Sequence, residues 1–400
     1  MSASIILPRP SLNRRLKRLT ATLYAYSFID DLILLYPVYV LLFADTGLTV
    51  AEISSLFVVW SVTGFVLEIP SGVWADAVSR RLLLAVAPVL GALGFGLWTV
   101  GGSYWAFLAG FVLWGTQGAM QSGALEALVY EELEHLEAAD RYAAIMGRAR
   151  ALGVAAVLVA TALAGPVLGA AGFMALGIAS VAARLTCAAV ALGFPEHRAL
   201  APDGEDEPGY RQVLIAGLRE AAAHPPVRRA VLLVAGVTAV WGGLEEYDPL
   251  LAESTGVADT VVPWLVMLTT AGVTAGGLLA GLGRRLSGRG LAAVIALGAV
   301  ALAVGAGSGR PIGFVPLAAA FCAFQFATVL ADARLQAAIT GPSRATVTSM
   351  AGLTVEVFTV GVYGLYGVGS GFAGHGAIFA AFAVPYLLMA ALLAVRRPST

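Results

Sequence analysis

The chain has 400 residues, of which 59% are hydrophobic and only 12% charged, about half the roughly 25% of a soluble domain. With a mean hydropathy of +0.84 this excludes a water-soluble protein, and 24 basic against 25 acidic residues give no net field that would attract a nucleic acid. Two cysteines in apolar runs, Cys187 and Cys322, offer neither a disulfide framework nor a metal cluster, and Lys17, the single lysine, follows no glycine-rich loop, so neither metal nor nucleotide cofactor is expected.

Taken in chain order, apolar runs interrupted by polar residues predict spans at 19–44, 50–74, 82–101, 104–130, 143–168 and 171–194. The basic start, Arg14, Arg15, Lys17 and Arg18, runs into a segment too long for a signal peptide, so the first span is expected to stay. A polar stretch at 195–226 follows, opening with Asp203, Glu205, Asp206 and Glu207; its Val213, Leu214, Ile215 and Leu218 alternate with Arg211 and Arg219 as in a helix lying on a membrane surface. Six further spans are predicted at 229–252, 261–283, 290–307, 312–338, 345–368 and 371–395. The reading is an all-α membrane protein of twelve transmembrane helices, with a bundle at 1–194, a linker at 195–226 and a second bundle at 227–400.

Arginines set the orientation. Arg80, Arg81, Arg141, Arg228, Arg229, Arg284, Arg285, Arg289, Arg344, Arg396 and Arg397 fall on one side with the basic start, while the opposite loops hold Arg310 and little else. Cytoplasmic loops carry such an excess, so both termini and the linker are expected in the cytoplasm. The halves also repeat: Asp30-Asp31, Tyr36-Pro37, Leu41-Leu42 and Thr46-Gly47 return in order as Glu245-Glu246, Asp248-Pro249, Leu250-Leu251 and Thr255-Gly256. Duplicated bundles facing one another are a transporter architecture, with the substrate bound between them at the midplane.

Charges inside spans cost several kcal/mol and are functional candidates by default. Asp30, Asp31, Glu245, Glu246 and Glu356 are candidates for proton coupling, with interhelical pairing as the alternative. Asp30 and Asp31, being adjacent, point about 100° apart and cannot share a face. Asp248 alone of the second group allows a solvated-loop reading. Arg184 in span six is the evident counter-charge for one of these acids. Tyr26, which shares a stripe with Asp30, and Arg184 line a candidate cavity with Gln117 and Gln121 on span four and Gln325 and Asp332 on span ten, interhelical hydrogen bonding being the other use of such groups. Trp60, Trp114, Trp241 and Trp264 suit either stacking on a substrate or an interfacial belt. The run Gly369-Ser370-Gly371-Phe372-Ala373-Gly374 matches a dinucleotide fingerprint in form, but no strand precedes it.

Between spans two and three the chain reads Gly72-Val73-Trp74-Ala75-Asp76-Ala77-Val78-Ser79-Arg80-Arg81, preceded by Glu68-Ile69-Pro70-Ser71. This resembles the Gly-x-Leu-Ala-Asp-Arg-x-Gly-Arg-Arg signature of the major facilitator superfamily (MFS), with Ala77 and Ser79 as departures. The resemblance implies a cytoplasmic latch formed by Gly72, Asp76, Arg80 and Arg81. Gly165, Pro166 and Gly169 on span five are similar to the core of that family's antiporter motif, Ala170 replacing its last glycine, and imply membership of the drug:proton antiporter branch. On span four Gln117-Gly118 matches a family pattern, while Trp114 stands where its arginine would be. The expectation is a proton-coupled exporter of a small neutral or cationic amphiphile in a bacterial inner membrane, working as a monomer with substrate, protons and lipid as its only partners; the alternative is a proton-coupled importer of a nutrient. An enzyme is not expected, since no histidine or cysteine cluster lies within the spans.

Overall fold

The computed structural model describes residues 12–197, 224–339 and 344–395, and their side chains except those of 12–13, 68–77, 284 and 344–346. The helices are α1 (Leu12–Asp30), α2 (Tyr39–Asp45), α3 (Val50–Ala77), α4 (Arg80–Gly101), α5 (Tyr104–Gln121), α6 (Ala124–His135) and α7 (Tyr142–Ala191) in the first half. The second half holds α8 (Pro225–Glu245), α9 (Asp248–Ser254), α10 (Val262–Leu279), α11 (Gly288–Gly307), α12 (Phe314–Ala338), α13 (Arg344–Gly369), α14 (His375–Ala381) and α15 (Ala383–Val395). Among the described residues there is no strand, as a bilayer requires of any chain that does not close a barrel.

Nine of the described helical stretches are long and apolar enough to cross a membrane. One of them, α7, folds double. Gly153 on its first limb packs on Asp31 of α1, and Arg184 on its second limb bonds the adjacent Asp30. A straight helix would hold positions 153 and 184 about 46 Å apart at 1.5 Å per residue. The turn is at Gly172, whose φ of 71° and ψ of −175° lie in a region essentially reserved for glycine. Counting this hairpin twice, and adding the broken pairs α1–α2 and α5–α6, accounts for the twelve predicted passages.

Spans one and seven differ from the continuous helices expected. Asp30 is the last residue of α1, and helix resumes only at Tyr39; α8 ends at Glu245 and α9 restarts at Asp248. A proline follows each acidic pair: Pro37 has no N–H and disfavours the helical conformation at Tyr36, while Pro249 suits the first turn of α9. Breaks of this kind persist in a membrane only where other groups satisfy the freed backbone. Ser180 of α7 does so here, its Oγ accepting from the Leu35 N–H at 3.1 Å. Span four is interrupted too, where Gly123 takes φ +72° between α5 and α6.

Hydrophobic packing divides the molecule by depth. One core joins the two halves, running from Phe43, Phe57 and Phe111 to Tyr247, Tyr363 and Tyr366. Toward the arginine-rich side, here called the basic side, two separate clusters replace it. Leu23, Leu84, Leu133 and Phe194 belong to the first half; Val231, Leu335 and Met350 belong to the second. Among the described residues the bundles are thus sealed together at mid-depth and on the far side, and packed apart on the basic side. The surface helix expected between 195 and 226 and the termini fall on 198–223, 1–11 and 396–400, outside the described residues.

Candidate functional site

The break in span one turns Asp30 into the first bundle, where Arg184 of α7 forms an ion pair with its carboxylate. Arg184 is only 2% exposed, and its Nη2 donates to the Tyr36 hydroxyl at 2.6 Å while its guanidinium lies 5.6 Å from the Phe95 ring centre. Gln121 Nε2 donates to the Tyr26 hydroxyl at 2.6 Å and to Asp30 Oδ1 at 3.3 Å, and Gln117 Nε2 donates to Gln121 Oε1 at 3.2 Å. The Cys187 thiol lies 3.6 Å from the same Asp30 oxygen. Gly91 admits this network because a Cβ there would collide with the Gln117 amide. A buried charge needs an opposite charge and hydrogen bonds to be tolerated, and Asp30 has both.

On the other side of an aromatic wall lies a cavity of about 460 Å³ between the two bundles. Its lining includes Trp60, Phe65, Ser122, Glu246, Glu356 and Tyr363, and among the described residues no basic side chain. Trp60 stacks on Trp114 with ring centres 4.5 Å apart and planes at 11°, and Trp114 stacks in turn on Tyr36 at 5.5 Å. A continuous column of rings thereby connects the cavity face to the hydroxyl held by Arg184. Trp114, which occupies the place of the family's arginine, is part of that column; the buried guanidinium comes from span six instead.

Span seven supplies the second acidic group. Glu246 faces the cavity, and the Tyr39 hydroxyl donates to its Oε2, so one hydrogen bond ties the first span of one half to the first span of the other. Glu245 precedes it as the last residue of α8. Asp248, for which the sequence leaves a solvated-loop reading open, is fully buried, and neither of its carboxylate oxygens has a hydrogen-bond partner among the described residues. The neighbouring Thr269 hydroxyl donates to the Val266 carbonyl at 2.8 Å. Asp248 opens α9 directly after Tyr247, whose ring stacks on Tyr366 with centres 3.6 Å apart. No arginine, lysine or histidine pairs with Glu245, Glu246 or Asp248 among the described residues.

Beyond this level the halves close on each other. The Tyr247 hydroxyl donates to Ser54 Oγ at 2.7 Å, and Phe57 packs on Tyr247 and Tyr363 with centres 5.3 and 5.2 Å away. Gly165 and Gly169 bring the first limb of α7 against Thr260, and a Cβ on Gly165 would strike the Thr260 carbonyl oxygen. The glycines of the antiporter-like motif, with Pro166 beside them, thus stand at the seam between bundles, where small residues let backbones approach.

Of the sequence candidates, Glu246 and Glu356 line the cavity, while Asp30 belongs to the ion-paired network and Asp31 turns toward Gly153. Tyr26, Gln117, Gln121 and Arg184 gather around Asp30 behind the aromatic wall and do not line this cavity. Gln325 lies near Gly277 of α10, its Nε2 3.8 Å from where a Cβ there would stand, and Asp332 is exposed elsewhere on α12. Thr328 of that stripe accepts from Trp241 Nε1 at 3.1 Å. In the latch, the side chains of Gly72 and Asp76 lie outside the described residues. Arg80 pairs with Glu131, and its backbone N–H donates to Glu196 Oε1 at 2.7 Å; Ser79 Oγ donates to Glu196 Oε2 at 2.5 Å. Tyr39, Tyr36, Cys187 and Glu196 were not singled out by their chemistry; Tyr36 carried a signal as part of the internal repeat.

The sequence matches the model of the Major Facilitator Superfamily over residues 21–375, and the chain belongs to that family. Among solved structures it resembles a mutant of the nucleoside transporter NupG, at a TM-score of 0.77 and 14% identity over 94% of this chain and 98% of that one. It also resembles the D-xylose-proton symporter, at 0.69 and 14% over 97% and 98%. A bacterial homolog of the human lysosomal transporter Spinster, inward-facing and unoccupied, matches at 0.65 and 16% over 97% and 96%. No curated protein sequence matches the chain. The protein is a multi-pass membrane transporter of the MFS fold and not an enzyme.

Proposed function

We propose that the protein is a proton-coupled exporter of a small amphiphilic compound, neutral or cationic, that works by alternating access in a bacterial inner membrane. The observation that carries this reading is the cavity: it lies between the bundles, it is walled by Trp60 and Tyr363, and among the described residues its only charged lining groups are the carboxylates of Glu246 and Glu356. A site with that field favours a cation or a neutral polarisable molecule and repels an anion. The arginine pattern assigns the basic side to the cytoplasm, so the separate packing there corresponds to an inward-open state, the state named for the Spinster homolog.

Glu246 gives the coupling a physical form. A proton and a cationic substrate compete for the same carboxylate, so each leaves when the other binds, which is the requirement for exchange. Protonation also weakens the charge-assisted bond from Tyr39 that holds the two halves together. Asp30, Asp31, Glu245 and Glu356 remain the other coupling candidates, and Gly72, Asp76, Arg80 and Arg81 the cytoplasmic latch. Likeness to the D-xylose-proton symporter favours the second reading, proton-coupled uptake.

The test is flux in liposomes that contain a pH-sensitive dye, screened with lipophilic cations, neutral drugs, sugars and nucleosides. Proton movement opposite to the flux of a compound supports the exporter; movement in the same direction establishes uptake. If Asp30→Asn, Asp31→Asn, Glu245→Gln, Glu246→Gln and Glu356→Gln each leave proton-driven flux intact, the coupling proposal is wrong.

A further inference from the structure

A groove of about 550 Å³ opens on the outer surface of the second bundle, toward the basic side, far from the cavity between the halves. Its walls are α8 and α15, with Arg334 and Ala338 of α12 also lining it. The two walls touch at Gly236, where a Cβ would come within 3.2 Å of the Met389 methyl. Leu233, Leu388, Leu392 and Leu393 line the gap between them. Leu232, Leu388 and Leu392 are 49%, 62% and 63% exposed, so the groove faces the lipid and not the protein interior.

Two guanidinium groups stand in this apolar setting. Arg229 is exposed on the first turns of α8; Arg334 is half-buried, and its Nη2 donates to the carbonyls of Leu286 at 2.9 Å and Ser287 at 3.3 Å. That anchoring fixes the guanidinium at the groove without neutralising it. No acidic side chain lines the groove or pairs with either arginine among the described residues. A charge at the edge of the hydrocarbon needs a counter-ion or water, and two cations beside an open apolar channel match a ligand with one anionic end and one long apolar end.

We infer that the groove between α8 and α15 is a binding site for an anionic phospholipid, the phosphate held by Arg229 and Arg334 and an acyl chain lying along Leu233, Leu388 and Leu392. Arginine suits the phosphate because its planar donors meet two oxygens at once. The site lies in the leaflet that the arginine pattern makes cytoplasmic, and it is independent of the direction of transport. Bound there, the lipid would wedge the basic-side ends of α8 and α15 and so act on the bundle whose first helix ends next to Glu246.

Native mass spectrometry of the full chain in detergent tests this, with phosphatidylglycerol and phosphatidylcholine of equal acyl chains titrated in parallel and melting temperature as a second readout. The expected result is retention of phosphatidylglycerol over phosphatidylcholine, with a loss of about fivefold in apparent affinity for each of Arg229→Gln and Arg334→Gln, the value of one arginine near an anionic headgroup. Equal retention of the two lipids, or unchanged preference in R229Q, overturns the proposal. Should R334Q fail to fold because Leu286 and Ser287 lose their donor, R229Q decides, since Arg229 makes no described bond. Inorganic phosphate that raises the melting temperature as much as the lipid would show an anion site only. A disulfide forming between Leu392→Cys and Leu214→Cys would show that the linker covers the groove; either result overturns the lipid.

Discussion

The first span of each half breaks at an acidic pair followed by a proline, yet the two breaks are finished differently. In span one the charge of Asp30 is met by Arg184, and Tyr36, Gln121 and Cys187 complete the surroundings. In span seven, Glu245, Glu246 and Asp248 have no cation among the described residues, and Glu246 is held only by a tyrosine from the opposite half. A compensated charge keeps one state; an uncompensated one responds to whatever cation or proton arrives. The duplication has thus yielded one break whose charge is paired inside its own bundle and one whose charges meet no cation among the described residues.

The largest effect should come from undoing the compensation. Arg184→Gln leaves Asp30 without its counter-charge and should lower stability by about 3–5 kcal/mol, with Asp30→Asn on the same background recovering much of it. Thermal unfolding in detergent reads both, and an unchanged melting curve for R184Q would remove the contrast between the halves. Next comes Tyr39→Phe, which deletes the bond to Glu246 and should cost the sealed state about 1.5–3 kcal/mol while leaving each bundle intact. Spin labels placed across Ser54 and Gly367 should report a wider distance in that variant; the same distance as in the parent would mean that the bond does not hold the halves.

Gly165→Ala tests the seam directly. Its Cβ meets backbone and not a movable side chain, so the far side should open by about 1–3 kcal/mol in population, read as faster thiol labelling of Thr260→Cys. The smallest effect concerns pH. Asp45 and Glu253, at the far rim beyond the spans, are both raised from the ordinary carboxylate range by partial burial and by Asp259 nearby, and Glu253 also by Asp45. A raised acid favours its protonated form in the sealed state, so the seal is strongest below the ordinary carboxylate pKa and weakens as pH rises through the raised value. Because Asp45 and Glu253 are exposed, Asp45→Asn should flatten this dependence by only a few tenths of a kcal/mol. A pH profile of the spin-label distance identical to that of the parent would show that the rim does not contribute.

Much of the architecture was legible because a bilayer leaves few choices: apolar length predicts the passages, and arginine position orders them. The internal repeat located both breaks, since Tyr36-Pro37 and Asp248-Pro249 are the residues that end and restart helix, although periodicity alone draws those spans as continuous. Partnership was harder to read. That Arg184 meets Asp30 and not Asp31, or that Gln117 and Gln121 turn away from the cavity, depends on how α5 and α7 rotate against α1, and rotation is set by packing at glycines such as Gly91. Asp248 escaped for the same reason: a carboxylate near the end of a span looks solvated until the fold buries it. Tyr39 reads as one aromatic among many, and only the fold places it opposite Glu246.

The turn at Gly172 joins the two limbs of α7 through a single residue. Consecutive Cα atoms are about 3.8 Å apart, so the joint has almost no slack and the adjoining ends of the limbs stay together. One limb leans on Thr260 of the opposite bundle, and the other carries Arg184 and the Ser180 hydroxyl that caps the break in span one. The hairpin therefore gives the seam and the bend beside Asp30 one shared piece of backbone, by a route that does not pass through the cavity.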